Sequence, residues 1–128
     1  MTYLDTHTAV YLYAGKIGAL SPNATEAIDG DDDLLISPMV LLELEYLRER
    51  KRILRNTWRE ILVALEIEWG VRVCHYPFPV IAEAAAEHCR WTGDPFDRII
   101  VANAIANNNS PLVTQDRSIR KHYRSAIW

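Results

Sequence analysis

Four carboxylates lie in or beside apolar segments of the sequence rather than in polar loops. They are Asp5, Glu43, Asp97 and Asp116. Each acid alone is explained by a helix cap, a surface position or a local hydrogen bond. If the fold brings the four together, however, each negative charge raises the pKa of the others, and burial raises it further.

A hard divalent cation relieves that repulsion. Mg²⁺ prefers oxygen ligands and keeps several waters and substrate phosphate oxygens around it. Mn²⁺ fits the same donor set. The matching chemistry is hydrolysis of a phosphodiester bond, in which the metal activates a water and stabilises the leaving oxygen. Either one ion or two is compatible with four acids.

Glu43 and Glu45 lie two residues apart but are predicted to face different sides of one helix. Glu43 borders the apolar stripe of a helix because Val40 and Leu47 lie three before and four after it. Glu45 points about 200° away, towards Arg48, and is predicted to form a surface ion pair.

The sequence allows two roles for Asp94. It lies three residues before Asp97, so both acids share a helix face and together can chelate a metal. It also directly precedes Pro95, which is typical of a helix N-cap followed by proline at the first helical position. We favour the cap, with indirect help to a metal as the alternative.

Alternating strand and helix patterns predict an α/β domain with a mainly parallel sheet of four to five strands flanked by helices. Ser21–Pro22, Ser37–Pro38 and Asp94–Pro95 mark helix starts, and Thr57 with Glu60 forms a capping box. The predicted strands are TYLD, DLLIS, VRVCHY, PLVTQD and an edge strand SAIW, and a long helix is predicted over SPMVLLELEYLRERKRILR. Parallel sheets bind ligands beyond the carboxyl ends of their strands, where Asp5 and Asp116 are expected.

Length and composition fit one domain over residues 1–128, with 49% apolar and 24% charged residues. We expect no signal peptide and no membrane span. Two cysteines, Cys74 and Cys89, make no disulfide framework, so a cytoplasmic location is expected.

The net charge of −3 argues against bulk electrostatic binding of nucleic acid, but the basic residues are unevenly distributed. Ten of the 14 fall in two short segments, which is compatible either with a local basic surface or with solvated helix faces. These residues are Arg48, Arg50, Lys51, Arg52, Arg55 and Arg59, then Arg117, Arg120, Lys121 and Arg124.

The blocks YLDTHTAVYLY, SPMVLLELEYL, DPFDRIIVANAI and LVTQD occur in the order and spacing of a PIN domain. Over essentially its whole length the chain resembles the VapC-type ribonuclease toxins of prokaryotic toxin–antitoxin pairs. The resemblance implies a Mg²⁺-dependent endoribonuclease, with its four catalytic and metal-binding acids at Asp5, Glu43, Asp97 and Asp116. It also matches Thr114 to a hydroxyl beside the last acid.

Three further expectations concern the surroundings of these acids. Thr6 is a helix-start hydroxyl that can also help to place a water or phosphate. Many VapC-type relatives carry a histidine two residues before the DPFDR block, but this chain has Thr92 there, so no histidine is assigned a role. Arg48, Arg52 and Arg55 follow helical spacing and form either an RNA-facing surface or a solvent face.

The resemblance further implies a homodimer and a small antitoxin protein that covers the active-site groove, often with an arginine against the acids. Two alternatives come from other classes. One is a non-catalytic binding module that keeps the fold and the partner groove. The other is a structure-specific DNA nuclease of related fold, although the short chain lacks long insertions that would thread a DNA flap.

Overall fold

Five strands form one sheet in the residues that the computed structural model describes, 1–50 and 55–128. The strand order is β3-β2-β1-β4-β5, and every neighbouring pair is parallel. The parallel α/β prediction is therefore confirmed, and the last strand lies at the edge as expected. The strands are β1 (Thr2–Leu4), β2 (Leu34–Ile36), β3 (Arg72–Val73), β4 (Leu112–Val113) and β5 (Ala126–Ile127).

The three inner strands are apolar because both faces of a parallel sheet are covered by helices. Every residue of β1, β2 and β4 is buried. In the register, Tyr3 pairs with Leu35 on one side and with Leu112 on the other. β1 is thus the central strand, and the residue after it emerges at the middle of the sheet.

The described residues also contain seven α-helices and a short 3₁₀ turn at Ile17–Ala19. None of these helices is both long and apolar enough to span a bilayer. The helices are α1 (Thr6–Tyr13), α2 (Pro22–Asp29), α3 (Pro38–Glu49), α4 (Trp58–Trp69), α5 (Phe78–His88), α6 (Pro95–Ala106) and α7 (Arg117–His122).

The predicted helix starts are present with their hydrogen bonds. The side chains of Ser21, Ser37 and Thr57 accept backbone N–H bonds at the N-termini of α2, α3 and α4. Each bond satisfies a donor that has no partner within its own helix. At the far end of α4, Gly70 adopts φ 66°, the left-handed conformation that glycine accommodates at a helix C-terminus.

The core lies between the sheet and its helices. Leu4, Ile36 and Leu112 of the sheet are fully buried, as are Ile100 and Ala104 of α6. Cys74 and Cys89 are both buried, and neither forms a disulfide.

The long helix predicted to continue to Arg55 is wrong in extent, because α3 ends at Glu49. From Arg48 to Arg52 the sequence carries four cations in five residues, which repel one another and supply no apolar side chain to bury. The Arg50 guanidinium lies 4.5 Å from the centre of the Tyr46 ring, and Arg55 lies in a bend. Arg52 falls outside the described residues.

Candidate active site

The sheet order places a crevice at the carboxyl end of β1. From β1 the chain moves to β2 on one side, whereas β4 lies on the other side, so the connections leave in opposite directions. Such a switch point is where open α/β sheets bind ligands. Asp5 directly follows β1, and Thr114 directly follows β4.

A pocket of about 310 Å³ lies at this point. Five acids line it, namely the four singled out by the sequence and Asp94. Its complete lining is Asp5, Thr6, His7, Glu43, Asp94, Asp97, Ile100, Gln115 and Asp116. Residues that lie up to 111 positions apart in the chain thus face a single cavity.

Asp5 is the most enclosed of the acids, with only 6% of its surface exposed. It is the N-cap of α1, and its Oδ1 accepts the Thr8 N–H at 2.8 Å. Its Oδ2 accepts the Thr114 hydroxyl at 2.5 Å. Burial raises the pKa of Asp5, and the Thr114 and Thr8 hydrogen bonds oppose that shift. Asp5 is therefore oriented from both α1 and the end of β4.

Glu43 reaches the pocket from α3. It is half-buried, and the Thr6 hydroxyl donates a hydrogen bond to its Oε1. Burial raises the pKa of Glu43, and the charges of Asp94 and Asp5 raise it further. Glu45, on the opposite face, accepts a bond from Arg48 with 2.9 Å between Nη2 and Oε1, which confirms the predicted ion pair.

Asp97 lies in the first turn of α6 and is half-buried. Burial raises its pKa to about 7, and the charges of Asp94, Asp116, Glu43 and Asp5 act in the same direction. The charges of the other four pocket acids therefore all favour the neutral form of Asp97 while no cation is bound.

Asp94 is the N-cap of α6, as favoured from the sequence. Its Oδ1 accepts the N–H groups of Phe96 at 2.8 Å and Asp97 at 3.2 Å. One carboxylate oxygen is thus used by the helix, while its charge still acts on Asp97.

Asp116 is likewise an N-cap. Its Oδ1 accepts the Ile119 N–H of α7 at 2.9 Å, and its own N–H donates to the Thr114 hydroxyl at 3.1 Å. The Thr114 side chain therefore links Asp5 to Asp116 through a single buried oxygen.

The donor set fits a hard divalent cation, because the polar lining is dominated by carboxylate oxygens. In the described part of the chain, no three acid, histidine or cysteine side chains are close enough to hold an ion by themselves. Mg²⁺ does not require such a cluster, since it commonly takes one or two carboxylates and completes its shell with water and phosphate oxygens.

Three residues with clear structural roles around the pocket were not identified from the sequence. Thr8 fixes Asp5 by its N–H and binds the Val113 carbonyl through its hydroxyl at 3.0 Å. His7 and Gln115 line the pocket, and Gln115 accepts a bond from the Tyr11 hydroxyl at 3.1 Å. The only available signal was their position beside Asp5 and Asp116.

The arginines interpreted as either an RNA-facing surface or a solvent face do not form one helical stripe. Arg48 lies on α3 and pairs with Glu45, whereas Arg55 lies beyond the end of that helix. The helical spacing proposed for Arg48 and Arg55 is therefore not realised, and Arg52 lies outside the described residues.

Comparison with known proteins adds a family assignment to this geometry. A family model described as PIN domain matches residues 2–125. The chain is 34% identical over 123 residues to Ribonuclease VapC22 of Mycobacterium tuberculosis, an alignment that covers 93% of this chain and 89% of the relative.

Solved structures share the fold. A DNA-bound VapBC from Salmonella typhimurium aligns with a TM-score of 0.62 at 21% identity, covering 94% of this chain and 91% of the other. VapBC2 from Rickettsia felis, bound to a DNA fragment from its promoter, aligns with a TM-score of 0.61 at 20% identity, covering 95% and 93%. Because the sequence identities are only 20% and 21%, these two structures support the fold and nothing beyond it.

Proposed function

The chain belongs to the PIN domain family, and we propose that it is a metal-dependent endoribonuclease that acts as the toxin of a toxin–antitoxin pair. The observation that carries the proposal is the single pocket at the sheet switch point, lined by Asp5, Glu43, Asp97 and Asp116. The similarity to a protein named as a VapC ribonuclease supports the choice of RNA as substrate.

In this proposal Asp5 and Asp97 would hold Mg²⁺, or Mn²⁺ in its place, as direct ligands, and Glu43 and Asp116 would act on the ion through bound water. When bound, the cation would supply an activated water and would neutralise charge that develops on the scissile phosphate. Carboxylates that are costly to ionise together become favourable ligands once a cation is bound, because its charge reverses the local electrostatics.

The surrounding side chains hold these carboxylates in position. The Thr114 hydroxyl fixes Asp5 and the N–H of Asp116, and the Thr6 hydroxyl fixes Glu43. Asp94 caps α6 and so orients the turn that carries Asp97. Such preorganisation reduces the reorganisation that substrate binding otherwise requires.

We propose that the partners include a small antitoxin protein and a second copy of the chain. The structurally similar proteins are described as VapBC assemblies, which supports the antitoxin. A pocket lined by five acids favours an inserted arginine, whose guanidinium pairs bidentately with carboxylates. Arg48 and Arg55 remain candidate RNA contacts as separate residues rather than as a helical stripe.

The proposal is tested by RNA cleavage with Mg²⁺, with EDTA, and with the variants Asp5→Asn and Asp97→Asn. Cleavage is expected only with metal and to fall at least about 100-fold in each variant, since each loses a charged ligand. Asp32→Asn is the matched control, because Asp32 is an exposed acid that does not line the pocket.

Equal cleavage in all these conditions contradicts the mechanism. The absence of cleavage combined with tight binding of a small partner protein favours the non-catalytic binding module. Cleavage confined to DNA favours the DNA nuclease.

A further inference from the structure

A second cavity lies farther along α6, which also contributes to the acid pocket, and at the end of α7, whose N-cap Asp116 lines that pocket. It measures about 520 Å³, which is within the range of pockets that hold a small organic molecule. Its lining includes His88 at the end of α5, Trp91 in the following loop, Ile105 on α6, His122 at the end of α7, and Arg124 two residues beyond that end. Assignment to the PIN domain family gives none of these residues a role.

The aromatic groups of this cavity are held in a fixed arrangement. The rings of Trp91 and His122 stack with centroids 4.7 Å apart and planes inclined by 3°. The His122 Nδ1 atom lies 2.8 Å from the Ser118 carbonyl oxygen, which fixes the imidazole against α7. Trp91 is half-buried and His122 is exposed, so the pair forms an aromatic wall at the surface. Walls of this kind bind nucleobases by stacking, with little dependence on sequence.

The segment beside the cavity, residues 117–124, comprises α7 and the two residues after it and is strongly basic. All four cations of this segment are exposed, although the protein as a whole carries a net charge of −3. Within residues 1–50 and 55–128, none of the four forms an ion pair with an acid. These cations are Arg117, Arg120, Lys121 and Arg124. They are available to phosphate groups, for which an arginine guanidinium is well shaped.

The two cavities lie at different points along α6 and α7. From Asp97 in the acid pocket, α6 leads to Ile105 in the second cavity over about 12 Å at 1.5 Å per residue. From Asp116, α7 leads to His122 over about 9 Å. A single strand whose phosphate lies at the acids therefore reaches the second cavity within a few nucleotides.

We propose that the second cavity binds a base of single-stranded RNA a few nucleotides from the cut, while the cations of residues 117–124 contact the intervening phosphates. This inference rests on the proposed ribonuclease function and deepens it by assigning a path to the RNA. The aromatic pair beside unpaired cations favours a nucleic acid, because each nucleotide offers a base to stack and a phosphate to pair.

Affinity for RNA tests the stacking wall. The probe is a short, fluorescein-labelled single-stranded RNA of mixed sequence, and fluorescence anisotropy is measured with Mg²⁺ in the Asp97→Asn background to prevent cleavage. Adding Trp91→Ala is expected to weaken binding by about 5- to 100-fold, the usual effect of losing one base-stacking side chain. Trp91→Phe retains an aromatic ring and is expected to recover most of the affinity.

The matched aromatic control is Phe78→Ala. Phe78 is exposed at the opposite end of α5, about 15 Å from His88 by helix rise, so its loss is expected to leave RNA affinity unchanged.

Salt dependence tests the basic helix without altering the core. The double substitution Arg120→Gln and Lys121→Gln changes two exposed side chains, so the fold is expected to persist. The slope of log Kd against log salt is expected to fall by about 0.7 for each phosphate contact removed. Arg59→Gln, an exposed position on α4, is expected to leave the slope unchanged.

Unchanged affinity in Trp91→Ala together with an unchanged slope in the double variant overturns the inference. If cleavage by the native protein still depends on Asp97, the proposed function survives that result. Loss of self-association in Trp91→Ala, at unchanged RNA affinity, identifies an interface between copies and also overturns it. No cleavage and no RNA binding by any variant overturns both proposals.

Discussion

At the scale of single residues, the pocket depends on hydroxyl groups as much as on carboxylates. The Thr114 hydroxyl donates to Asp5 and accepts from the Asp116 N–H, and it is fully buried. The Thr6 hydroxyl donates to Glu43. These hydroxyls determine where the carboxylate oxygens point before any cation binds.

Thr114→Val tests this arrangement. Valine has a similar shape but leaves the buried Asp5 oxygen and the Asp116 N–H without their partner, so we expect a loss of about 1–3 kcal/mol in the free energy of unfolding. RNA cleavage is expected to fall together with stability. Thr114→Ser retains the hydroxyl and is expected to restore both in urea-unfolding and cleavage assays, and a valine variant as stable and active as the native protein contradicts this role.

The raised pKa of Asp97 predicts the pH dependence of stability in the metal-free protein. The folded value of about 7 exceeds the ordinary value of 3.8, so folding favours the neutral acid. That contribution is complete below about pH 4 and is lost as the pH rises through about 7. The full shift corresponds to about 4 kcal/mol, and because Asp97 is only half-buried we expect about 1–2 kcal/mol after solvent screening.

The measurement compares urea unfolding of the native protein and Asp97→Asn in EDTA between pH 4 and pH 8. The variant carries no titrating group at this position, so its stability is expected to exceed that of the native protein increasingly as the pH rises. A constant difference across this range excludes the predicted ionisation.

At the scale of secondary structure, three of the five acids begin helices. Asp5, Asp94 and Asp116 are the N-caps of α1, α6 and α7. The sequence predicted this for Asp94 because Pro95 follows it, whereas Asp5 and Asp116 lack that proline and were identified only as acids after strands. The end of α3 at Glu49 was not predicted, because the residue spacing typical of a helix continues beyond it. That spacing takes no account of the repulsion between neighbouring cations.

Asp94→Asn separates capping from a contribution of charge. Asparagine caps a helix as well as aspartate does, so stability is expected to remain within about 0.5 kcal/mol of the native value. The pKa of Asp97 is expected to decrease, since the charge of Asp94 raises it. Asp94→Ala removes the cap and is expected to cost about 1 kcal/mol.

Thermal unfolding measures the stability of each variant, and NMR titration of the Asp97 carboxyl measures its pKa. If RNA cleavage by Asp94→Asn is lost while α6 remains capped, Asp94 contacts the metal rather than serving only as a cap.

At the scale of the whole molecule, the parallel sheet brings residues 5, 43, 97 and 116 to one pocket. The sequence predicted the order of strands and helices along the chain, because apolar runs and serine–proline starts are local signals. It did not determine which side of β1 would hold β4, since that depends on packing between distant elements. The second cavity was also beyond the sequence, because Trp91 and His122 come together only through the fold.

Mg²⁺ is expected to stabilise the whole native protein, because only the folded chain assembles the pocket. At a concentration 100 times its Kd, the ion contributes about 2.7 kcal/mol, which raises the Tm by several degrees. Calorimetry of the native protein and the control Asp32→Asn is expected to show the same increase. The double variant Asp5→Asn and Asp97→Asn is expected to show none, and an equal increase in that variant contradicts binding at the pocket.

The most direct measurement is anomalous X-ray diffraction from crystals of the protein soaked in Mn²⁺. We predict a peak at the carboxyl end of β1, within bonding distance of carboxylate oxygens of both Asp5 and Asp97. Soaked crystals that show no peak in this pocket, or a peak only elsewhere such as the acidic turn at residues 29–33, would contradict a shared cation site.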